Sequence, residues 1–239
     1  MRRLLNRAVL IGSLGCFVDS YDLVLFSTLR ISSLQAIGVP SERIVDVGIN
    51  LLNLQMLGML LGGLMWGSLG DRRGRVSVLF GSIFLYSVAT LSNGFVSSVW
   101  MYGILRFFAG LGLAGELGAA VTLVSEKMSP TERGWGTTLI AFMGAVGGLF
   151  AALTAEWFNW RTSYILGGLM GFALFGMRIR MSDSKLFETM RAKKVHRGNL
   201  LKIIFPRQRF FKVLTFVFIG LPIWYVVGIL ISFSPEIGA

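Results

Sequence analysis

Seven apolar stretches of about twenty residues each constrain the fold of this chain more than any other feature, because a helix of about 20 apolar residues crosses the hydrocarbon core of a bilayer. Only 15% of the 239 residues are charged, against about 25% in soluble domains. The sequence therefore predicts an all-α, multi-pass membrane protein. The predicted spans are about 9–29, 47–69, 76–95, 99–125, 135–156, 162–180 and 213–233.

The basic residues fall almost entirely on one side of these spans. Alternating loops place 19 of the 23 Lys and Arg on the side of the N-terminus. Three others (Arg30, Arg43 and Arg161) fall on the opposite side, and Arg106 lies inside the fourth span. Because cytoplasmic loops carry the excess of Lys and Arg, we expect a plasma membrane protein with a cytoplasmic N-terminus.

Charge and span positions together divide the chain into three predicted parts. Residues 1–180 form a six-helix transmembrane bundle, 181–212 a basic cytoplasmic linker, and 213–239 a seventh span with a short outer tail. The net charge of +11 could indicate nucleic-acid binding, but the linker adjoins a span and suits anionic lipid headgroups instead. The predicted partners are therefore the lipid bilayer and a small-molecule substrate, without nucleic acid.

Four ionisable residues lie within spans: Asp19 and Asp22 in the first, and Arg106 and Glu116 in the fourth. A charge at the centre of a bilayer costs about 2.5–3.5 kcal/mol even on mild scales, so such residues face the bundle interior. Helical rise puts Asp22 and Arg106 at similar depth in antiparallel spans. The functional interpretation is a substrate and proton pathway, in which Arg106 holds an anion and the carboxylates carry a proton. The structural alternative is an Asp22–Arg106 ion pair that joins two helices.

The nine residues GSLGDRRGR, Gly67 to Arg75, separate the second and third spans. Asp71, Arg72, Arg73 and Arg75 fall within five positions of this segment, and its glycines permit a sharp turn. The pattern predicts a tight, charged cytoplasmic hairpin.

The hairpin and several other segments of the chain resemble sequence motifs of the major facilitator superfamily. Gly67, Asp71, Arg72, Gly74 and Arg75 are similar to its signature loop between spans two and three. Arg106 with Gly110 and Gly112 resembles the fourth-span arginine motif. The family's conserved motif after the fourth span is similar to the pattern formed by Glu126, Pro130, Arg133 and Gly134. The segment DSKLFE, 183–188, resembles a degraded form of the family's motif after the sixth span. The segments DSYD at 19–22 and AGELGAAVTLVSE are similar to proton symporters of small metabolites, aromatic acids and phosphate.

The resemblance implies two six-helix bundles around a central cavity that opens to alternate sides of the membrane. It implies proton-coupled symport of a small organic anion or metabolite, with a phosphate or sugar symporter as the alternative. It also implies a cytoplasmic gate at the hairpin, formed by Gly67, Asp71, Arg72, Gly74 and Arg75 together with Glu126 and Arg133. The proton gradient would drive transport without a cofactor.

The chain differs from members of this family in its length. Its members usually have about twelve spans, of which this chain holds the N-terminal six and one more. The sequence is thus expected to be a fragment or split transporter whose C-terminal half is encoded separately, or a truncated membrane protein that does not transport.

An enzyme is the third class of function considered, after a transporter and a membrane protein that does not transport. The sequence argues against an enzyme. The one histidine, His196, lies in the linker, and Asp19 and Asp22 share one helix face instead of forming a dyad across two helices. No cluster of metal-ligand residues is evident. The sequence predicts no catalytic residues and no metal site.

Overall fold

The computed structural model of the chain describes residues 7–129, 131–179 and 207–226. These residues form seven α-helices, and no strand occurs among them. In chain order the helices are α1 Arg7–Ala36, α2 Ile44–Arg73, α3 Arg75–Asn93, α4 Val99–Lys127, α5 Arg133–Trp157, α6 Trp160–Arg178 and α7 Arg207–Tyr225; a short 3-10 turn, Ser41–Arg43, precedes α2. The all-α prediction is confirmed. Pro130, the element at 183–188, most of the predicted linker and residues 227–239 lie outside the described residues.

Five of the seven predicted spans are helices long and apolar enough to cross a membrane. They comprise Val9–Ala36, Ser41–Arg73, Arg75–Asn93, Val99–Glu126 and Arg133–Trp157. The sixth predicted span coincides with α6, a helix of 19 residues that has an arginine near each end. Its role as a span stays a prediction, as does that of α7.

The predicted hairpin at 67–75 is wrong in its extent. Helix α2 continues through Arg73 and α3 begins at Arg75, so a single residue, Gly74, separates them. Its φ of 102° is in the region that favours glycine, which explains how one residue can reverse the chain. Charged residues do not end a helix by themselves, and at a membrane surface both helices can extend beyond the hydrocarbon core.

Helices α1 and α4 lie at the centre of the bundle. Helix α1 packs against α4, α5 and α6, and α4 packs against α2 and α3. The largest apolar cluster of the described residues joins α1 to α2, α4, α5 and α6 and includes Leu25, Leu51 and Tyr164. This arrangement brings the ionisable residues of the first and fourth spans to the interior, as expected from the cost of exposing them to lipid.

Close contact between α2 and α4 depends on glycine. A Cβ at Gly58 would collide with the carbonyl oxygen of Phe107, and one at Gly110 with that of Gln55. Between α5 and α1, Gly147 approaches the carbonyl of Phe17 in the same way. Small residues that let helix backbones touch are the usual basis of packing in membranes. Packing alone therefore accounts for these glycines, whereas Gly118 of α4 has no atom of another helix nearby.

This difference gives the first prediction. Gly110→Ala forces α2 and α4 apart and is expected to destabilise the bundle by about 1–3 kcal/mol, seen as a lower thermal unfolding temperature in detergent. Gly118→Ala is the matched control on the same helix, since its Cβ would meet open space. Equal unfolding temperatures for the two variants would contradict this packing account.

Helix α7 differs from the other six in its burial. It begins at Arg207, so the last six residues of the predicted linker, 207–212, are helical. Apart from Gly220, every residue of α7 whose burial is described is exposed, including Phe216, Phe218 and Ile219. The six-helix set α1–α6 is therefore the packed unit within the described part of the chain.

Candidate functional site

Asp22 and Arg106 form an ion pair in the centre of the bundle. Arg106 Nη2 lies 2.6 Å from Asp22 Oδ2 and Nη1 lies 3.3 Å from Oδ1, so the two groups meet in the bidentate manner that favours arginine. Both side chains are fully buried. The depth argument from helical rise correctly predicted this contact between α1 and α4. Their role in transport stays a prediction.

Polar and aromatic groups from three further helices complete the surroundings of this pair. Gln55 Nε2 of α2 donates to Asp22 Oδ2 at 3.1 Å, and Thr90 Oγ1 of α3 donates to Oδ1 at 3.2 Å. The Arg106 guanidinium lies 4.6 Å from the ring centre of Phe26 and 5.9 Å from that of Tyr164. Asp22 thus accepts four hydrogen bonds, and Arg106 is held between a carboxylate and two aromatic faces.

A second buried ion pair joins Glu116 of α4 to Arg178 of α6. Arg178 Nη2 lies 2.6 Å from Glu116 Oε2, and Nη1 lies 2.9 Å from Oε1 and 2.6 Å from the carbonyl oxygen of Leu79. The Ser82 hydroxyl of α3 also donates to Glu116. Both members of the pair are fully buried.

This second pair corrects two parts of the sequence interpretation. Arg178, one of the 19 basic residues that the sequence places on the cytoplasmic side, lies buried inside the bundle. Glu116, one of the carboxylates predicted to carry a proton, is paired with it. The sequence pattern missed Arg178 because a basic residue at the end of an apolar stretch usually extends to the membrane surface. Arg30, assigned to the outer loops, is likewise buried within α1, beside Gly48 of α2.

Asp19 lies between the two ion pairs and has no such cation. Its side chain is 8% exposed, and its Oδ1 accepts no hydrogen bond from a described residue. It lies close enough to Glu116, Arg178 and Asp22 for their charges to act on it. Gly15, one turn earlier in α1, faces the Glu116–Arg178 pair, since a Cβ there would lie 3.0 Å from Arg178 Nη2. Of the four predicted pathway residues, Asp19 alone makes no ion pair in the described part of the chain.

The predicted gate residues meet at the corner between α2, α3 and α4. Arg75 Nη2 lies 2.8 Å from Asp71 Oδ1, and Arg75 Nε lies 3.9 Å from Glu126 Oε1. Arg133 instead donates to the carbonyl oxygen of Met128 at 3.3 Å. These groups are partly exposed, so each contact contributes at most about 1 kcal/mol to stability.

The predicted glycines of the gate differ in their surroundings. Gly74 makes the turn described above. Gly67 has no atom of another element close to where its Cβ would lie, and it lines a groove of about 290 Å³ between α2 and α4 together with Gly70 and Arg75. Arg72 is exposed. No group of three or more potential metal ligands occurs among the described residues.

Comparison with known sequences identifies the family. The family model of the Major Facilitator Superfamily matches residues 9–238. The chain is 31% identical over 220 residues to the cis,cis-muconate transport protein of Acinetobacter baylyi, covering 84% of this chain and 50% of the relative. It is 30% identical over 173 residues to the 4-hydroxybenzoate transporter PcaK of Pseudomonas aeruginosa, covering 70% and 38%. A niacin transporter of Acinetobacter baylyi is 36% identical over 138 residues, covering 56% and 31%.

Comparison with solved structures supports the same fold. A D-xylose–proton symporter superimposes with a TM-score of 0.73 at 15% identity, covering 97% of this chain and 61% of that one. The human organic anion transporter MFSD10 superimposes with a TM-score of 0.60 at 17% identity, covering 72% and 46%. At these identities the likeness establishes the fold alone.

These relatives are transporters and not enzymes, and the chain spans half of their length or less. The matched family model and the helical bundle agree with the multi-pass membrane protein predicted from the apolar stretches. The chain belongs to the major facilitator superfamily.

Proposed function

We propose that this chain provides one half of a proton-coupled symporter of small organic anions. The observation that carries the proposal is the buried triad of Asp22, Arg106 and Asp19: a neutralised ion pair beside a carboxylate that has no cation. Relatives named for cis,cis-muconate, 4-hydroxybenzoate and niacin suggest monocyclic aromatic or unsaturated carboxylates as the substrate class.

The chemistry of the pair explains how a proton could control anion binding. While Asp22 is ionised, it occupies both terminal nitrogens of Arg106. Protonation of Asp22 removes that charge and leaves the guanidinium free to bind a substrate carboxylate in the same bidentate geometry. Phe26 and Tyr164, which flank Arg106, would contact a planar ring attached to that carboxylate.

Asp19 is the group proposed to retain the proton during transport. An ionised carboxylate without a cation is costly in a medium of low dielectric constant. A protonated Asp19 carries no charge and avoids that cost. The carrier function of Glu116 suggested by its position in the span is weaker, because Arg178 already balances its charge.

Alternating access requires a second wall for the cavity. Transporters of this family are built from two similar halves related by an axis along the membrane normal. In the proposal, a second copy of this chain supplies that wall, because the two halves of the fold are parallel repeats. The N-terminus and the Asp71–Arg75 corner face the cytoplasm, as the distribution of basic residues predicts.

Uptake by liposomes that contain the purified 239-residue chain tests the proposal. We expect labelled 4-hydroxybenzoate or nicotinate to accumulate when the outside is acidic, and accumulation to stop when a protonophore removes the gradient. Binding of the same probes to the chain in detergent is measured in parallel, since it does not depend on a complete transport path. If the chain showed no uptake and no binding of these probes at any pH, the proposal would be overturned. Uptake of xylose or phosphate in place of the carboxylates would overturn the substrate class.

The gate gives a second prediction. Asp71→Asn removes the charge that holds Arg75 at 2.8 Å, so we expect slower uptake and a bias toward the inward-open state. The bias is measured as faster labelling of single cysteines placed on the cytoplasmic side. Thr122→Ser, a conservative change in the groove near this corner, serves as the control. Unchanged uptake and unchanged labelling in Asp71→Asn would contradict the gate.

A further inference from the structure

A second groove between α2 and α4, the Arg43 groove, has a volume of about 540 Å³. Arg43 and Asn50 of α2 are its polar lining residues. Most of the lining is apolar and includes Leu51, Leu54, Ile104 and Phe108. The groove thus combines a cation at one end with an apolar interior.

The Arg43 groove faces away from the Asp22–Arg106 ion pair. Successive residues of an α-helix are about 100° apart. Ile104 and Phe108 each lie two positions from Arg106 in α4, so each points about 160° away from it. Both side chains are exposed, whereas Arg106 is buried against α1. The groove therefore opens on the outside of the bundle, where a membrane protein meets lipid.

The length of the Arg43 groove matches one leaflet of a bilayer. Arg43 and Leu54 are 11 residues apart, or about 16 Å along the helix, and half of the hydrocarbon core is about 15 Å thick. Arg43 lies at the end of α2 away from the Asp71–Arg75 corner, which is the outer end in the predicted orientation. Trp100, 78% exposed, lines the groove near this end, where tryptophan commonly meets lipid headgroups. These dimensions suit one acyl chain of the outer leaflet.

The charges at the end of the groove indicate which headgroup it fits. Arg43 lies next to Glu42 and three residues from Asp46; all three are exposed, and none belongs to an ion pair among the described residues. Lipid tails are as apolar as the groove lining, so a preference for one lipid must come from its headgroup. A phosphate suits the fork of an arginine, and a primary ammonium donates to carboxylates. An anionic headgroup would bring no cation to Glu42 and Asp46, and a choline has no N–H to donate.

We propose that the Arg43 groove binds a phosphatidylethanolamine molecule of the outer leaflet. One acyl chain lies in the apolar groove, the lipid phosphate accepts hydrogen bonds from Arg43, and the ammonium donates to Glu42 or Asp46. Asn50, two turns further in, donates to an ester carbonyl oxygen of the lipid. The site is separate from the carboxylate cluster and does not depend on the proposed transport function.

Lipid retention by the purified chain tests the site without a transport assay. The chain is extracted from vesicles that contain equal amounts of phosphatidylethanolamine, phosphatidylcholine and phosphatidylglycerol, and bound lipids are identified by native mass spectrometry. We expect phosphatidylethanolamine to be retained in preference to the other two lipids. Arg43→Gln should bind it about tenfold more weakly, because a hydrogen bond to a charged group is lost.

Arg161→Gln is the matched control for Arg43→Gln. Arg161 lies near the start of α6, at the same end of the bundle, but its side chain donates to the carbonyl oxygens of Gly94 and Val96. We expect this variant to retain phosphatidylethanolamine as the wild type does. Equal retention of the three lipids by the wild type, or equal affinity in Arg43→Gln and the wild type, would overturn the site.

The double variant Glu42→Gln/Asp46→Asn tests the headgroup assignment. It removes the two carboxylates and leaves Arg43 as the charge at the end of the groove. We expect the preference to shift about tenfold toward phosphatidylglycerol. An unchanged preference for phosphatidylethanolamine would show that the carboxylates do not recognise the ammonium, and would overturn this assignment.

Ile104→Trp tests the position of the acyl chain, because it adds bulk inside the groove. Leu169→Trp is the control, since Leu169 is exposed on α6, outside the groove. We expect only Ile104→Trp to lose the retained phosphatidylethanolamine, with the helical circular dichroism of both variants unchanged. Equal retention in the two variants would overturn the placement of the chain in the groove.

Discussion

Arg178→Gln is expected to lower the free energy of unfolding of the bundle by about 3–5 kcal/mol, because it leaves the Glu116 carboxylate buried without its cation. The carbonyl oxygen of Leu79 also loses the hydrogen bond that Arg178 donates at 2.6 Å. The measurement is thermal or denaturant unfolding of the purified chain in detergent. This is the largest effect on stability that we predict for a single substitution.

The double variant Glu116→Gln/Arg178→Gln is the control for this prediction. It removes both charges at once, so we expect it to be more stable than Arg178→Gln alone, since replacing both members of a buried pair costs less than breaking it. An Arg178→Gln variant as stable as the wild type, or a double variant no better than the single one, would show that the pair does not hold α4 and α6 together.

Arg106→Gln is expected to have the largest effect on substrate binding. Removing one partner of a buried, hydrogen-bonded charge pair costs about 2–5 kcal/mol of binding free energy, so probe carboxylates should bind at least about 30-fold more weakly. Uptake in liposomes should fall at least as much. Equilibrium binding of labelled 4-hydroxybenzoate in detergent measures the first effect, and a protonophore-sensitive uptake assay measures the second.

Arg161→Gln is the matched control for Arg106→Gln. Arg161 is also an arginine of the bundle, but it donates to the carbonyl oxygens of Gly94 and Val96 and contacts the Trp160 ring, away from the carboxylate cluster. We expect it to leave probe binding unchanged. Binding that survives in Arg106→Gln, or that is lost equally in both variants, would argue against Arg106 as the anion site.

Sequence patterns predicted the helices and the Asp22–Arg106 ion pair for a physical reason. Apolar length determines which segments can cross a bilayer, and a constant rise per residue aligns Asp22 with Arg106 across antiparallel spans. Both arguments need only local geometry. They also led to the correct family, because Asp71, Gly74 and Arg75 lie at fixed spacing around one turn.

The Glu116–Arg178 pair could not be predicted in this way. Whether Arg178 extends to the membrane surface or turns inward depends on the rotation of α6 about its axis, which is set by packing against α3 and α1. The same applies to Gln55, Ser82 and Thr90, uncharged residues that gain a role only because α2 and α3 direct them at a carboxylate. The extent of α2 and α3 was missed because the positive φ of Gly74 alone ends the helices.

The central claim is that Asp19 couples proton movement to anion movement, and proton flux driven by an anion gradient tests it most directly. Liposomes containing the chain and a trapped pH-sensitive dye are given external 4-hydroxybenzoate without a pH gradient. We expect the interior to acidify with the wild-type chain, and anion entry to continue without acidification with Asp19→Asn. Equal acidification with both chains would contradict the account.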